Sequence, residues 1–224
     1  MQHSVKSLIG FTMGATDGEI GKVDEFYFDD ETWTIRYLVV KTGGWLMERK
    51  VLISPGALRN PDWKSRSFPV DLTKKQVKHS PDIDTAKPVS RQQELALYDH
   101  YEWPYGDPTS GGFYGQMGVA GMIDSRVPFE ASIAATDLKR QPGDPHLRSV
   151  SEVIGYHIHA TNGEIGHVAD LMVDEHFKVS FMIVETGSWF SERKILLSPQ
   201  RIKEINWANS SVEVDVSMET VKDM

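Results

Sequence analysis

The stretch ATDGEIG at residues 15–21 recurs almost unchanged as ATNGEIG at residues 160–166. Working outward from these two stretches, an offset of 145 residues, which becomes 144 after a one-residue deletion near residue 175, aligns further segments. TGGW at 42–45 matches TGSW at 186–189, and ERKVLISP at 48–55 matches ERKILLSP at 192–199. The chain therefore contains one small unit twice, as a tandem pair.

Within each unit the apolar residues fall in short runs that glycine interrupts, a pattern typical of β-strands. Asp17-Gly18 and Asn162-Gly163 predict a tight hairpin with a type I′ turn, because Asn and Gly tolerate positive φ. The apolar spacing from Ile20 to Phe28 predicts a strand with a β-bulge, after which the apolar side chains return to the same face of the sheet. A further run, 35–40 in the first copy and 179–184 in the second, is apolar on both faces and predicts a central strand covered on both sides.

Short helical turns are predicted at two places in each unit. Ser54-Pro55 and Ser198-Pro199 have serine as N-cap and proline at the first helical position. Thr73 to Gln76 has the capping-box pattern after a closing strand at 68–72. About five strands in so short a unit most economically close into a small barrel, since closure removes exposed edges.

We therefore expect an all-β protein with three parts. Residues 1–79 form repeat 1 and residues 148–224 form repeat 2, each a small β-barrel with short terminal helical turns. Residues 80–147 have no counterpart in either repeat and form a long, mostly irregular connector. One short helix is expected in the connector, from Ser90 as N-cap through Leu97. Because each core is thin, the repeats are expected to pack on each other or in a homodimer.

Composition and charge argue against several classes of function. The chain has 224 residues, a formal net charge of -8 and no cysteine. Phosphate backbones are repelled by such a charge, and no local basic face is evident from the sequence, so we expect no nucleic-acid partner. The lack of cysteine excludes disulfides, thiol catalysis, iron–sulfur clusters and thiolate zinc sites. No apolar run is long enough for a membrane span, and no secretory signal is evident, so the cytoplasm is the expected compartment.

The histidines of repeat 2, at positions 157, 159, 167 and 176, raise the question of a metal site. A two-residue turn at Asn162-Gly163 would pair Ile158 with His167, placing His167 on the face opposite His157 and His159. Repeat 1 has Thr12, Gly14 and Lys22 at three of these positions. We expect surface histidines and no metal or other cofactor, with His157 and His159 as the weak candidates.

Aromatic and arginine side chains are the candidates for partner binding. A charged cluster beside a tryptophan occurs in both repeats and is suited to an anionic partner through Arg, although a solvated strand entrance with the tryptophan capping the barrel is the favoured interpretation. The connector carries an unusual density of Tyr and Trp, for which a strap across the barrels is the favoured interpretation, with a partner-binding interface or simple disorder as the alternatives. The candidates are Trp45, Arg49, Trp189, Arg193, Tyr101, Trp103 and Tyr105.

The segments at 8–10, 16–23, 36–40 and 44–55 closely resemble the PRC-barrel family. The resemblance covers both repeats and implies a small β-barrel. Two familiar members are the cytoplasmic domain of the photosynthetic reaction centre H subunit and the C-terminal domain of a ribosome maturation factor. The membrane helix of the first and the additional β-domain of the second are not evident here. What the resemblance implies is a bacterial double-barrel protein that docks onto larger assemblies.

The leading hypothesis is accordingly a non-enzymatic scaffolding module that binds a protein partner. The alternative is a small-ligand or metal sensor that uses the groove between the repeats or the histidines of repeat 2. An enzyme acting through Asp99, His100 and Tyr101 is a third hypothesis, and it predicts a deep pocket enclosing at least two of them. No nucleophile elbow, P-loop or dinucleotide-binding motif occurs in the sequence.

Overall fold

A computed structural model describes residues 2–81, 89, 91–103, 144, 146–187 and 193–222. Its first half contains β1 (His3–Ser4), α1 (Val5–Leu8), β2 (Thr12–Ala15), β3 (Gly18–Asp29), β4 (Thr34–Thr42), β5 (Lys50–Ile53), β6 (Ser67–Pro69) and α2 (Lys74–Lys78). The connector contributes α3 (Arg91–Tyr101). The second half contains β7 (Leu147–Ser149), α4 (Val150–Val153), β8 (His157–Ala160), β9 (Gly163–Val173), β10 (Val179–Thr186), β11 (Lys194–Leu197), β12 (Ile202–Asn206), β13 (Ser211–Val214) and α5 (Met218–Lys222).

The two repeats form separate, equivalent sheets, as the duplication predicts. Repeat 1 has the strand order β5-β4-β3-β2-β6, and repeat 2 has the order β11-β10-β9-β8-β13-β12. In each sheet the opening hairpin pairs antiparallel, and its first strand also pairs in parallel with the closing strand. Register shifts in β3, at Val23/Glu25 and Tyr27/Phe28, confirm the predicted bulged strand.

The opening hairpin differs from the predicted type I′ turn. Ala15 pairs with Gly18 and Ala160 with Gly163, so Thr16-Asp17 and Thr161-Asn162 form the loops. Positive φ falls on Gly18 and Gly163, at the first residue of the returning strand. The glycine is needed there because few other residues adopt this backbone conformation without strain.

The short helical turns begin where the sequence predicts. Ser54 and Ser198 each accept a hydrogen bond from the backbone N–H two residues later, at the start of 3-10 turns over Pro55–Ala57 and Pro199–Arg201. Thr73 and Gln76 make the reciprocal capping box at the start of α2. The predicted connector helix is also present, and it continues four residues beyond Leu97, to Tyr101. Ser90, its predicted N-cap, lies outside the described residues.

Each sheet is completed by a strand from the other half of the chain. β1 pairs with β9, with Ser4 opposite Met172, and β7 pairs with β3, with Ser149 opposite Tyr27. Ser4 and Ser149 occupy equivalent positions of the two repeats, 145 residues apart, and so do Tyr27 and Met172. The exchange is therefore reciprocal, and a pseudo-two-fold axis relates its two halves. The sequence analysis did not anticipate this exchange, because a strand of two or three residues has no readable periodicity.

A carboxylate in each repeat holds the helix that follows the exchanged strand. Asp170 accepts hydrogen bonds from the Ser4 hydroxyl and, at 3.2 Å, from the Lys6 backbone N–H at the start of α1. The equivalent Glu25 accepts from the Ser151 backbone N–H at 3.3 Å, at the start of α4. An anion at this position stabilises the helix because the first backbone N–H groups have no helical partner.

Tryptophans cover the exchanged strands from outside. Trp63 stacks on the His3 ring with 3.8 Å between centroids, and the Arg148 guanidinium lies 4.3 Å from the centroid of the equivalent Trp207. The turns of the two central hairpins also meet, since Val179 N–H donates to the Trp33 carbonyl at 2.7 Å and Ile35 N–H donates to the Phe177 carbonyl at 2.9 Å. The two repeats therefore form one continuous buried core.

Two glycines allow neighbouring strands to approach closely at the same place in each sheet. A Cβ on Gly21 would lie 2.1 Å from the Lys41 carbonyl oxygen, and one on Gly166 would lie 2.1 Å from the Glu185 carbonyl oxygen. The strands cannot separate here without breaking the ladder that holds β3 to β4. Glycine at these positions therefore has an architectural role.

Gly21→Ala is expected to lower the free energy of unfolding by about 1–3 kcal/mol, as overpacking does. Gly14→Ala is the matched control in the adjacent strand, because a Cβ at Gly14 meets nothing within 4 Å. Urea unfolding followed by circular dichroism measures both variants. Equal unfolding midpoints for the two variants would contradict the close approach.

Candidate functional site

The two arginines proposed from the sequence hold the ends of terminal helices. Arg49 donates to the carbonyls of Ser80 at 2.5 Å and Pro81 at 2.7 Å, just beyond α2. Its counterpart Arg193 donates to the carbonyls of Val221 at 2.8 Å and Lys222 at 2.5 Å, in α5. A guanidinium is suited to this task because the last helical carbonyls have no intrahelical donor. These contacts give the repeated ERK motif an internal structural role.

Trp45 lies at the tip of the loop that joins β4 to β5. Its indole N–H donates to the Ile20 carbonyl at 2.7 Å, Lys74 Nζ lies 4.4 Å from the ring centroid, and the side chain is 37% exposed. The neighbouring Met47 is 91% exposed. Trp189 lies outside the described residues.

The connector aromatics form a buried group at the end of α3. Tyr101 stacks on Trp103 with 4.6 Å between centroids, and Tyr98 meets Trp103 edge-on at 5.8 Å. Burial raises the pKa of Tyr101 to about 12. Because Tyr98 and Tyr101 are buried, this part of the connector agrees with a strap packed on repeat 1. Tyr105 lies outside the described residues.

Two of the three residues proposed for an enzyme lie together, since the His100 and Tyr101 rings meet edge-on with 4.8 Å between centroids. Tyr101 is buried, Asp99 is exposed, and His100 Nε2 lies 2.7 Å from the Gln76 carbonyl oxygen. His100 thereby fixes the end of α3 to α2. The arrangement positions the connector helix on repeat 1.

The histidine arrangement differs from the one predicted. His157 pairs directly with His167, so these two lie on the same face, and Ile158 pairs with Gly166. The predicted pairing is wrong because a register shift between Ile158 and His159 offsets the strands. His157 Nδ1 lies 2.9 Å from Glu164 Oε1. Among the described residues, no group of three or more His, Asp or Glu side chains could hold a metal ion.

A buried ionic cluster attaches the connector to repeat 1, and the sequence analysis missed it. Arg36 is buried and contacts three carboxylates: Glu94 of α3, Asp144 at 2.6 Å and Asp29 at 3.4 Å. The Tyr37 hydroxyl donates to Glu94 at 2.9 Å. One guanidinium therefore joins β3, β4, the connector helix and the far end of the connector.

The pKa values within this cluster move in opposite directions. Burial raises the pKa of Glu94, and the Arg36 charge offsets part of that rise. The pKa of Asp144 is lowered despite its burial, because the His146 backbone N–H and Arg36 donate to it. A proton is therefore bound more readily at Glu94 than at Asp144.

The cluster covers the outside of the repeat 1 sheet. We define outer face 1 as Tyr27, Tyr37, Val39 and Leu52, which are adjacent in register across β3, β4 and β5. All four are buried, at 8%, 1%, 1% and 0% exposure. Glu94 of α3 bonds to Arg36 and Tyr37 at this surface, and Leu97, one turn further along α3, is fully buried. Helix α3 therefore lies over outer face 1.

The equivalent surface of repeat 2 is partly exposed. We define outer face 2 as Met172, Phe181, Ile183 and Leu196, which are adjacent in register across β9, β10 and β11. Three of these side chains are half-buried, and Leu196 is 48% exposed. The prediction that residues 179–184 form a strand covered on both sides is therefore wrong for repeat 2, although it is confirmed for repeat 1.

The two faces differ at the two positions that hold the carboxylate of α3 in repeat 1. Arg36, which binds α3 through Glu94, is replaced in repeat 2 by Ser180, and Tyr37 is replaced by Phe181. Repeat 2 therefore lacks both groups that hold the helix carboxylate. Outer face 2 is the best candidate for a binding surface among the described residues.

Arg36→Ala is expected to lower the free energy of unfolding by about 3–5 kcal/mol, because three carboxylates would remain in a buried site without their cation. Arg59→Ala is the matched control in the same repeat, since Arg59 makes an exposed ion pair with Asp71. Chemical denaturation measures both variants. A similar, small effect of the two substitutions would contradict the role assigned to Arg36.

Glu94→Gln tests the pKa assignment. A raised pKa means that the folded protein binds the Glu94 proton more tightly than the unfolded chain does. This contribution to stability is complete below the ordinary Glu value of 4.5 and is lost as pH rises through the folded pKa. The stability of the wild type relative to Glu94→Gln is therefore expected to fall as pH rises from 4.5 towards neutrality, as measured by urea unfolding across pH. Parallel pH profiles would refute the raised pKa.

Comparison with known proteins agrees with the duplicated sheet fold. The family model for the PRC-barrel domain matches the chain twice, at residues 2–77 and 145–220. A search of curated proteins finds no match. No helix among the described residues is long and apolar enough to cross a membrane. The two matches together span well over half of the chain, and the chain therefore belongs to the PRC-barrel domain family, of which it contains a tandem pair.

Proposed function

We propose that the protein is a non-enzymatic scaffolding module that binds a partner protein at outer face 2. One observation carries the proposal: the same sheet surface is buried in repeat 1, where helix α3 bonds to it, and is partly exposed in repeat 2. Contiguous exposed apolar surface in a protein marks an interaction site more often than an isolated apolar residue does. The duplication supplies an internal reference, because outer face 1 demonstrates that this surface accommodates a helix.

The rigidity of the surroundings supports a docking role. Outer face 2 lies on a sheet that is completed by β1, and Asp170, between Met172 and the opening hairpin, is fixed by Ser4 and Lys6. Binding to a preformed surface avoids the entropic cost of ordering it. The face is therefore suited to hold a partner in a fixed orientation relative to repeat 1.

The alternative function, a small-ligand or metal sensor, has less support. His157 and His167 are neighbours on an exposed face, but the described residues supply no third metal ligand beside them. A pair of exposed histidines is a weak site, because stable metal sites in proteins have three or four protein ligands. Protein docking is the function that the geometry supports better.

Affinity capture from cells with quantitative mass spectrometry tests the proposed function. Leu196→Glu places a charge on outer face 2, in its edge strand β11, and it is tolerated by the fold because Leu196 is already half exposed. Ile9→Glu is the matched control, since Ile9 is an aliphatic residue of similar exposure, 39%, on repeat 1. At least one protein captured by the wild type and by Ile9→Glu is expected to be lost with Leu196→Glu. Identical sets of captured proteins for all three chains would refute docking at this face.

A further inference from the structure

Helix α3 provides a template for the kind of segment that outer face 2 binds. Among its described side chains, the buried ones are Glu94, Leu97, Tyr98 and Tyr101. They follow the spacing i, i+3, i+4, i+7, so they lie on one side of the helix. Ala96 and Asp99 lie on its exposed side. A segment that covers the equivalent sheet surface therefore needs an amphipathic helix of about three turns.

The residue that replaces Glu94 in such a helix must be uncharged. Outer face 1 accepts the carboxylate because Arg36 and Tyr37 both donate to it. Ser180 and Phe181 stand at these positions in repeat 2 and supply no positive charge. Burying a carboxylate without a cation is strongly unfavourable, enough to abolish a moderate affinity. Outer face 2 therefore selects against α3 itself and favours a helix that is apolar at this position.

The margin of outer face 1 also carries more basic side chains than the margin of outer face 2. Beside outer face 1, Lys22, Lys41 and Lys50 are directly paired neighbours across three strands. The corresponding row beside outer face 2 is His167, Glu185 and Lys194. Lys41 is paired with Glu48 at 3.1 Å and Lys50 with Asp24 at 2.8 Å, so part of the positive charge in the repeat 1 row is neutralised. The row in repeat 2 is close to neutral.

The charge of each whole repeat strengthens this contrast. Residues 1–79 contain 12 Lys and Arg against 10 Asp and Glu, a net charge of +2, whereas residues 148–224 contain 7 against 12, a net charge of -5. Helix α3, with one Arg against Glu94 and Asp99, has a net charge of -1 and packs on the basic repeat. By charge complementarity, a helix that packs on the acidic repeat is basic.

From these observations we infer that outer face 2 binds an amphipathic helix of a partner protein that is apolar on one side and carries Lys or Arg at the margins of that side. The inference rests on the proposed docking function and specifies its partner chemistry. It commits to a partner helix as the occupant. A second copy of the chain and the chain's own residues 104–143 are the competing occupants that the experiment separates.

Three stapled peptides of residues 89–103 serve as probes, each with a fluorescent label and a staple joining positions 92 and 96, on the side that carries exposed Ala96. The first has the native sequence. The second carries Glu94→Leu with Gln93→Lys and His100→Lys, two positions that are half-buried at the margins of the covered side. The third is the second with Leu97→Asp, which removes the apolar side. The staple preforms the helix, so differences in affinity report the side chains.

Fluorescence anisotropy with the full chain measures binding. The second peptide is expected to bind at least about tenfold more tightly than either of the others. The first would bury the Glu94 carboxylate without a cation, and the third would bury the carboxylate introduced by Leu97→Asp. Leu196→Glu in the chain is expected to weaken this binding by about tenfold or more, whereas Ile9→Glu leaves it unchanged. Glu185→Lys, at the margin, is expected to weaken it severalfold and to reduce its salt dependence.

Failure of the second peptide to bind, or equal binding to the Leu196→Glu chain, overturns the inference. If a captured protein is still lost with Leu196→Glu while the second peptide fails, the proposed docking function stands and only the helix chemistry falls. If the captured proteins do not depend on Leu196, the docking function falls as well.

Two further measurements separate the competing occupants. The chain has no cysteine, so Leu196→Cys and the control Lys194→Cys each introduce a single thiol. Maleimide is expected to label both thiols rapidly in the isolated protein. Slow labelling at position 196 alone would show that the chain's own residues already cover the face and would overturn the inference. A homodimer in sedimentation that Leu196→Glu converts to a monomer would assign the face to a second copy, with the same consequence.

Discussion

Completion of each sheet by a strand from the other repeat is the constraint on which the rest of the structure depends. His3–Ser4 extends the sheet of repeat 2, and Leu147–Ser149 extends the sheet of repeat 1, at positions that correspond in the duplication. The exchanged strands lead into helices whose first turns are held by Asp170 and Glu25 of the opposite repeat. Neither repeat is complete without the other, so the pair has the internal symmetry of a closed dimer within one chain.

On this symmetric frame, two neighbouring substitutions distinguish the outer faces of the two sheets. Arg36 in repeat 1 collects Asp29, Glu94 and Asp144 and thereby attaches both ends of the connector to one sheet. Ser180 in repeat 2 cannot do so, and the apolar side chains around it remain accessible. A buried ion pair adds little stability compared with apolar packing, but it is selective, because removing one partner leaves charges uncompensated. Arg36 therefore determines which of two similar faces the connector helix occupies.

The sequence predicted the parts of the fold that depend on local chemistry. The Ser-Pro turns and the capping box at Thr73 and Gln76 act over a few residues, and the structure has them where expected, although the opening hairpins turn one residue earlier than predicted. The candidate site depends on contacts between distant residues. Glu94 and Asp144 lie 58 and 108 residues from Arg36, and no periodicity relates them. The runs at 35–40 and 179–184 are equally apolar, so their pattern could not show that only one of them is covered. The histidine pairing failed for a related reason, since a single bulge reverses which residues share a face.

The reciprocal exchange also sets the order of events during synthesis. The bond from Ser4 to Asp170 joins residues separated by 166 positions, and closing so long a loop has an entropic cost that local contacts do not carry. The N-terminal strand cannot find its pairing edge until β9 has left the ribosome, so repeat 1 emerges first and waits in an incomplete state. Proteins dominated by such distant pairings fold slowly. During that interval the edge of β3 at residues 27–29 lacks its partner strand β7, and the speed of translation through the connector sets how long this edge stays unpaired.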